Sequence, residues 1–399
     1  MLEPRARWSF PTPFTSTQDA LDAGSASGLT PRLIELLGRR GVTTPDEIGR
    51  FLGEPASALH DPELLPDAGL FRDRILRARA QGERVMVFGD FDADGITGLA
   101  VLTLALRSLG VDVLPYVPSR LEERHGLSLA AVSAAAEARA SVIVTVDTGT
   151  TSVAEVEAAV ARGIDVLITD HHRVPERLPP ALAIVNPHRS ESRYPDTRLA
   201  GSGVALTLAR LLLGDAALEL ADLAAIGTVA DVAPIVGENR AIARLGLDVI
   251  RRGPRPGLAA LLERSGLAAN AVDLEAVAFT IAPRLNAAGR VGEAAEAARL
   301  LLAEDPAEAA QRAEALETAN STRRDLMKTA VAEARALLEG APDAPATLVH
   351  GPWSVGIVGL VAARLAEDRG RPAVVGAELG DVIRASCRSD GSLDLGATL

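Results

Sequence analysis

Cysteine is almost missing. Cys387 stands alone in 399 residues, which excludes an intrachain disulfide framework and any multi-cysteine zinc or iron–sulfur site. Metal chemistry in such a chain must rest on oxygen and imidazole ligands. Lysine is missing too: of 41 basic residues only Lys328 is one, which leaves arginine to bind any phosphate. Positive charge is in deficit, and a net charge of -12 argues against a protein that coats nucleic acid, though it leaves room for a local basic groove. Long apolar runs are absent, the longest being broken by Arg107 and Arg210, and no segment reaches the length of a bilayer span. The opening MLEPRARWSFP carries charge with no apolar stretch behind it, so no signal peptide is read. The expectation is a cytoplasmic protein with no membrane contact. What remains is ordinary for a globular chain, with 48% hydrophobic and 24% charged residues and length for two or three domains.

The first seventy or so residues read as short helices and loops, with a capping box at Thr44-Pro45-Asp46-Glu47. From Arg84 the pattern changes. Val85–Phe88 is a short apolar strand ending in GDFDADG, followed by a helix over Ile96–Leu109. Strand-like Val111–Val117, helical Leu127–Ala140, strand-like Ser141–Val146, helical Val153–Arg162 and strand-like Asp165–Thr169 follow in alternation. Alternation of this kind predicts an α/β fold with a parallel, doubly wound sheet, whose working residues lie beyond the carboxyl ends of the strands. Gly203–Leu213 and Ala216–Ile226 read as helices, and Pro306–Leu338 as one long connecting helix. Strands at Thr347–His350 and Ala373–Val375 around a helix over Val355–Glu367 then predict a second, smaller α/β unit.

GDFDADG has the opening of a calcium loop, but an EF-hand needs a glutamate at loop position 12, and counting from Asp90 that position is Val101. Capping of the following helix accounts for one aspartate, Asp94 being the expected one, and leaves two unexplained. Carboxylates at Asp90, Asp92 and Asp94 repel one another unless a cation or several hydrogen bonds compensate, so a metal site is expected. Asp147 in VTVDTGTTS also ends a strand. So does Asp170 in TDHH, where it is followed by two of only six histidines, His171 and His172. Neutral imidazole suits manganese, zinc or iron, while the carboxylates suit manganese or magnesium. Asp231 in GTVADVAP is a fourth acidic candidate, with a helix cap as its competing role.

GDFDADG, VDTG, TDHH and GTVAD, in this order on strand ends, resemble the four motifs of the DHH phosphoesterase superfamily. VPSRLEERHGLS, IVNPHR, GTVADVAPIVGENR, APRLNAAGR and WSVGIVGLVAARLAEDRGRPAVV resemble the RecJ branch of single-strand-specific exonucleases, from about residue 40 onward. The resemblance implies an N-terminal arm (1–70), a DHH catalytic domain (71–295), a connecting helix (296–340) and a DHH-associated DHHA1 domain (341–399), the last apparently incomplete. It implies two divalent ions, manganese or else magnesium, held by Asp92, Asp94, Asp147, His171 and Asp231. His172 is implied at the scissile phosphate, Asp170 orients an imidazole, and Asp90 supports the site. Arg388 and Ser389 are expected to hold a substrate phosphate, with Arg120, Asn286 and Arg290 as further substrate-binding residues, the last two with a structural role as the competing reading. Trp353 is read as interdomain packing rather than a base-stacking platform. The implied substrate is single-stranded DNA, degraded from its 5' end to 5'-mononucleotides in repair and recombination. Single-strand-binding protein or a recombination helicase is an implied partner.

Two departures from the family pattern stand out. Many relatives carry a histidine four residues before Asp92, where this chain has Phe88, so one ion is expected to be held more weakly. Arg124-His125 stands where a Gly-Tyr pair is expected. Hydrolysis of oligoribonucleotides, nucleoside bisphosphate or cyclic dinucleotides is the alternative within the superfamily. A non-catalytic scaffold is the alternative outside it, and the retained acids in all four motifs weigh against that reading.

Overall fold

The computed structural model describes residues 12, 14–120, 123, 125–340, 344–389, 391 and 393–395, so Arg124 lies outside the described residues. The chain divides into two compact units, Met1–Leu59 and His60–Leu399. In the first, helices α1 (Gln18–Ala26), α2 (Pro31–Arg39) and α3 (Pro45–Leu52) gather around Ala20, Ile34 and Ile48. The predicted capping box opens α3: Thr44 Oγ1 accepts from the Glu47 amide at 3.2 Å, and Glu47 accepts from the Thr44 amide at 3.0 Å.

The second unit begins with α4 (Ala68–Gln81) and continues through β1 (Arg84–Gly89), α5 (Ala93–Ser108), β2 (Asp112–Tyr116), α6 (Leu129–Glu137), β3 (Ala140–Val146), α7 (Val153–Val160), β4 (Asp165–Thr169) and β5 (Ala183–Val185). The five strands form one parallel sheet in the order β2-β1-β3-β4-β5. The strand order reverses between β1 and β3, which is where ligands bind in open sheets of this type. Met86, Phe88, Ile143, Val166 and Ile168 face a core closed by Leu127, Ala131, Val132, Val156 and Ala159 from the α6–α7 side. The opposite face is covered by α5, which is buried nearly all round its circumference, and by α8 (Gly201–Leu213). The stretch read as one helix from Ala216 is a 3-10 turn over Gly214–Leu220 that passes into α9 (Ala221–Ala230).

Helices α10 (Gly237–Arg252) and α11 (Pro256–Arg264) follow. A short α12 (Leu274–Ala276) then runs through a π turn (Val277–Ile281) into α13 (Ala282–Val291), succeeded by α14 (Ala295–Leu302) and the 32-residue α15 (Pro306–Leu337). Pro306 at the first helical position and Asp305, whose side chain accepts from the Glu308 amide, start α15 as its sequence dictates. The last segment comprises β6 (Thr347–Gly351), α16 (Val355–Arg369), β7 (Ala373–Leu379) and β8 (Val382–Arg388). β6 and β7 pair in parallel, while β8 returns antiparallel through the two-residue turn Gly380-Asp381. Trp353 is 7% exposed in the core between α15 and α16, and its Nε1 donates to Glu333 at 2.8 Å, so it packs as expected. No helix is long and apolar enough to cross a membrane among the described residues.

Candidate active site

Parallel register brings the motifs together. Gly89 of β1 pairs with Val146 of β3, Val146 with Thr169 of β4, and Thr169 with Val185 of β5. The next residue on each strand therefore falls in one row: Asp90, Asp147, Asp170 and Asn186. Three of these four are acidic, and they meet at the switch point of the sheet.

Asp92 rather than Asp94 caps α5: its Oδ1 accepts from the amides of Asp94 at 3.0 Å and Gly95 at 3.1 Å. The helix starts at Ala93, three residues before the apolar pattern suggested, because the cap lies inside the acidic motif. Burial first, and then the charges of Asp94 and Asp90, push the Asp92 carboxyl above the ordinary carboxylate range. Asp94, 1% exposed, points at the N-terminus of α8, where its two oxygens accept from Gly201 at 2.7 Å and Ser202 at 2.9 Å.

Close packing requires glycine at that junction. A Cβ on Gly227 of α9 would overlap Ser202 Oγ and Thr97 Oγ1 and lie 2.6 Å from Asp94 Oδ1. Gly227→Ala should therefore lower stability by about 1–3 kcal/mol and loosen manganese binding, as read by thermal unfolding with and without the ion. Unchanged values in both would contradict this packing account.

Asp147 adopts a left-handed backbone, φ 61°, and is 3% exposed. Its carboxyl is driven well above the ordinary range, first by burial and then by Asp94, Asp92, Asp90 and Asp170. Asp147 Oδ1 lies 3.0 Å from His171 Nε2, which is itself 3.8 Å from Asp94 Oδ2. Both Asp147 Oδ1 and His171 Nε2 are buried and without a hydrogen-bond partner. Two inward-facing electron-pair donors within a ring of acids are what a divalent cation needs.

Three overlapping groups, each with its ligand atoms within 4.8 Å of one another, could hold such ions: Asp94, His171 and Asp231; Asp147, His171 and His172; and Asp90, Asp92 and Asp147. Asp147 belongs to two of them. Asp231 sits at the exposed end of α9, and burial followed by the charge of Asp94 moves its carboxyl up to about 6.

Asp170 organises the histidines. Its Oδ1 accepts from the amides of His171 at 2.8 Å and His172 at 3.2 Å and from His172 Nδ1 at 2.7 Å, while Oδ2 accepts from the Thr150 amide at 3.0 Å. Burial opposes the charge, yet these hydrogen bonds hold the Asp170 carboxyl down at about 2. With Nδ1 engaged, His172 presents Nε2 outward from a side chain that is 59% exposed. Chiefly through the bond to Asp170, and against partial burial, its imidazolium persists to about pH 9.

That pair stabilises the metal-free fold fully between pH 3.8 and 6.5, and the contribution is lost as pH rises through about 9 or falls through about 2. His172→Gln should flatten the decline of Tm between pH 6.5 and 9 measured in chelator. A decline of unchanged size would contradict the pairing.

Asn186, fully buried, was missed by sequence reasoning. Its Nδ2 donates to the His172 carbonyl at 2.9 Å and to Thr150 Oγ1 at 3.2 Å, fixing the TDHH turn. Its signal was the end of a strand only three residues long. Phe88 is fully buried on the α6–α7 face and stacks on Tyr116 at 5.8 Å, so it serves the core and not the site. An imidazole does approach from elsewhere: His125 Nδ1 lies 3.0 Å from Asp90 Oδ2, with its ring 4.3 Å from Phe91.

The arginines converge. Arg120 lies over Phe91, 4.8 Å from the ring centroid, and feels both Asp90 and Arg388. Burial, followed by Arg120, Arg323 and Arg388, brings Arg290 down to about 10. Arg388 Nη1 bonds Ser386 Oγ at 3.1 Å, whereas Ser389 Oγ accepts from the amides of Gly391 and Leu393. Ser386 is thus a hydroxyl beside Arg388. Asn286 Oδ1 accepts from the Ala93 amide at 2.9 Å and so braces the GDFDADG loop.

Residues 84–228 match the model of the DHH family, N-terminal domain. The single-stranded-DNA-specific exonuclease RecJ of Bacillus subtilis is 38% identical over 378 residues, 94% of this chain and 48% of that protein, so the chain spans about half the length of this relative. The protein of the same name from Dickeya dadantii is 38% identical, covering 96% of this chain and 69% of its own. Among solved structures, exonuclease RecJ bound to manganese superposes with a TM-score of 0.73 at 37% identity over 85% of each chain. With that identity carried across most of both chains, and with three motifs on the rim of one parallel sheet and GTVAD at the end of helix α9 in place of the expected strand end, this chain belongs to the RecJ family of DHH-domain proteins.

Proposed function

We propose that the chain is a metal-dependent phosphodiesterase that hydrolyses single-stranded DNA from its 5' end and releases 5'-mononucleotides. The observation that carries the reading is the buried, unpartnered pair Asp147 Oδ1 and His171 Nε2, set 3.0 Å apart amid Asp92, Asp94 and Asp231. This donor set suits manganese or magnesium, and Asp147, a member of two of the candidate groups, would contribute to holding both ions. Bound there, the ions supply an activated water and neutralise charge on the phosphoryl group.

The chain's own groups do the rest. His172 donates from Nε2 to a phosphoryl oxygen, its ring held by Asp170. Asp90 and Asn286 brace the motif loop. Arg388, Arg120 and Arg290 hold substrate phosphate, a task that their mutual repulsion leaves unsatisfied without an anion. In this reading residues 71–295 form the catalytic domain, 296–340 the connector, 341–399 the substrate-binding domain and 1–70 an arm. The site is cytoplasmic, and single-strand-binding protein or a recombination helicase delivers the DNA.

Digestion of 5'- and 3'-labelled single-stranded DNA with manganese, beside a dinucleotide and cyclic di-AMP, tests the proposal. The 5' label should appear at once as a mononucleotide while the 3' label stays on shortening strands. Intact DNA with cleaved dinucleotide would move the assignment to small substrates, and no cleavage of any kind would leave a scaffold.

A further inference from the structure

Helix α9 closes next to Asp231 in a Schellman arrangement: the Val232 amide donates to the Val229 carbonyl and the Ala233 amide to the Thr228 carbonyl, each at 3.2 Å. That closure requires a left-handed residue after the cap, a position suited to glycine or asparagine. Here it is Val232, at φ 59°. Asp67, Arg139 and Asp147 are the other non-glycine residues with positive φ among the described residues, so Val232 is the sole β-branched one. A branched side chain in this region is a steric outlier.

Nothing in the fold's own packing offsets the strain. Val232 is 85% exposed, more than any other large hydrophobic residue described. The strain persists because both flanks are pinned. Ala233 is buried, and Asn239 Nδ2 donates to the carbonyls of Pro234 at 3.1 Å and Arg198 at 2.7 Å. Glu238, itself 1% exposed, takes hydrogen bonds from Tyr194 Oη and donates its amide to Asp196 at 3.2 Å. A strained residue over-determined by its surroundings and adjoining a reactive centre is a signature of function.

We infer that Val232 is a substrate-contacting residue, an apolar face for the base of the nucleotide next to the scissile phosphate; this rests on the single-stranded DNA reading above. The argument for a base is chemical. Asp231 is within ligand distance of Asp94 and His171, so a phosphodiester drawn into the centre carries its nucleoside past the next residue, Val232. A side chain stiff at χ1 loses little entropy on packing, and every base offers a flat apolar surface, so the contact is tolerant of sequence.

Val232→Asn, which accepts the left-handed backbone, and Val232→Ala, which removes the branch but keeps a Cβ in a disfavoured region, separate strain from contact. Both variants should raise KM for single-stranded DNA roughly fivefold to tenfold, the scale of losing one base contact. Tm should rise more in Val232→Asn than in Val232→Ala. The wild-type preference, in KM, for an ordinary oligonucleotide over one with abasic terminal nucleotides should narrow by the same factor in both. An unchanged KM, an equal loss on abasic DNA, or a loss confined to manganese affinity would overturn the inference, the last because it would make Val232 a stiffener of Asp231. A wild type inactive on DNA would instead overturn the functional reading itself and this inference with it.

Discussion

Asp147→Asn should make the metal-free protein more stable and the manganese-loaded protein inactive. In chelator at pH 7–8, above the ordinary carboxylate range, burial and the charges of Asp94, Asp92, Asp90 and Asp170 disfavour the ionised form of Asp147, which costs the fold stability. Replacing it with a neutral amide of the same shape removes that repulsion. Tm in chelator should rise by at least about 1 °C, what roughly 1 kcal/mol is worth in a chain of this size. Saturating manganese should then reverse the order: the wild type gains about 2.7 kcal/mol per site at a hundredfold excess over Kd, while the variant gains little. Hydrolysis should fall at least about a thousandfold, the scale on which loss of a principal charge stabiliser is felt. A variant less stable than wild type in chelator, or as active as wild type, would refute the shared-ligand role of Asp147.

Arg388→Ala should separate substrate grip from metal binding. Arg388 touches Ser386 and the backbone carbonyl of Cys387, and its charge presses on Arg120 and Arg290. These guanidinium groups repel one another in a protein of net charge -12, an arrangement that an incoming phosphate relieves. Losing one charge-assisted phosphate contact should raise KM roughly 10- to 100-fold, with manganese affinity unchanged. The dependence of log KM on log salt should flatten by about 0.7, as expected for one phosphate contact on a single strand. A fall in manganese affinity of comparable size, with the salt slope preserved, would mean that Arg388 supports the metal centre instead.

The parallel sheet and its acidic rim were legible because each central strand is an apolar run closed by an aspartate. That pattern survives without any knowledge of pairing. Two edge strands, β5 and β8, were not legible. β5 is three residues long and carries no periodicity, and Asn186 was hidden with it. β8 contains Arg384, Ser386 and Arg388, so its alternation is weak, although Gly380-Asp381 is a hairpin signal that could have revealed it.

Within the site, residue identity pointed to the right chemistry and misassigned some partners. Asp92 and Asp94 are both helix-start aspartates by sequence. Only the arrival of the α8 N-terminus, more than a hundred residues later, decides that Asp94 turns away from its own helix. The same holds for Asn286, whose partner Ala93 lies in another element. Phe88 reads as one more strand residue, and the pleat sends it with Met86 toward the α6–α7 core. Val232 carried no signal, since its backbone angle is set by the closure of α9 and the pinned loop beyond it.

The central claim is a two-ion centre that shares Asp147, and titration of the metal-free chain with manganese, followed by calorimetry and electron paramagnetic resonance, tests it most directly. The account predicts two ions per chain, magnetically coupled, with a nitrogen coupling that disappears in His171→Ala. One isolated ion, or two-ion binding at full affinity in Asp147→Asn, would contradict it.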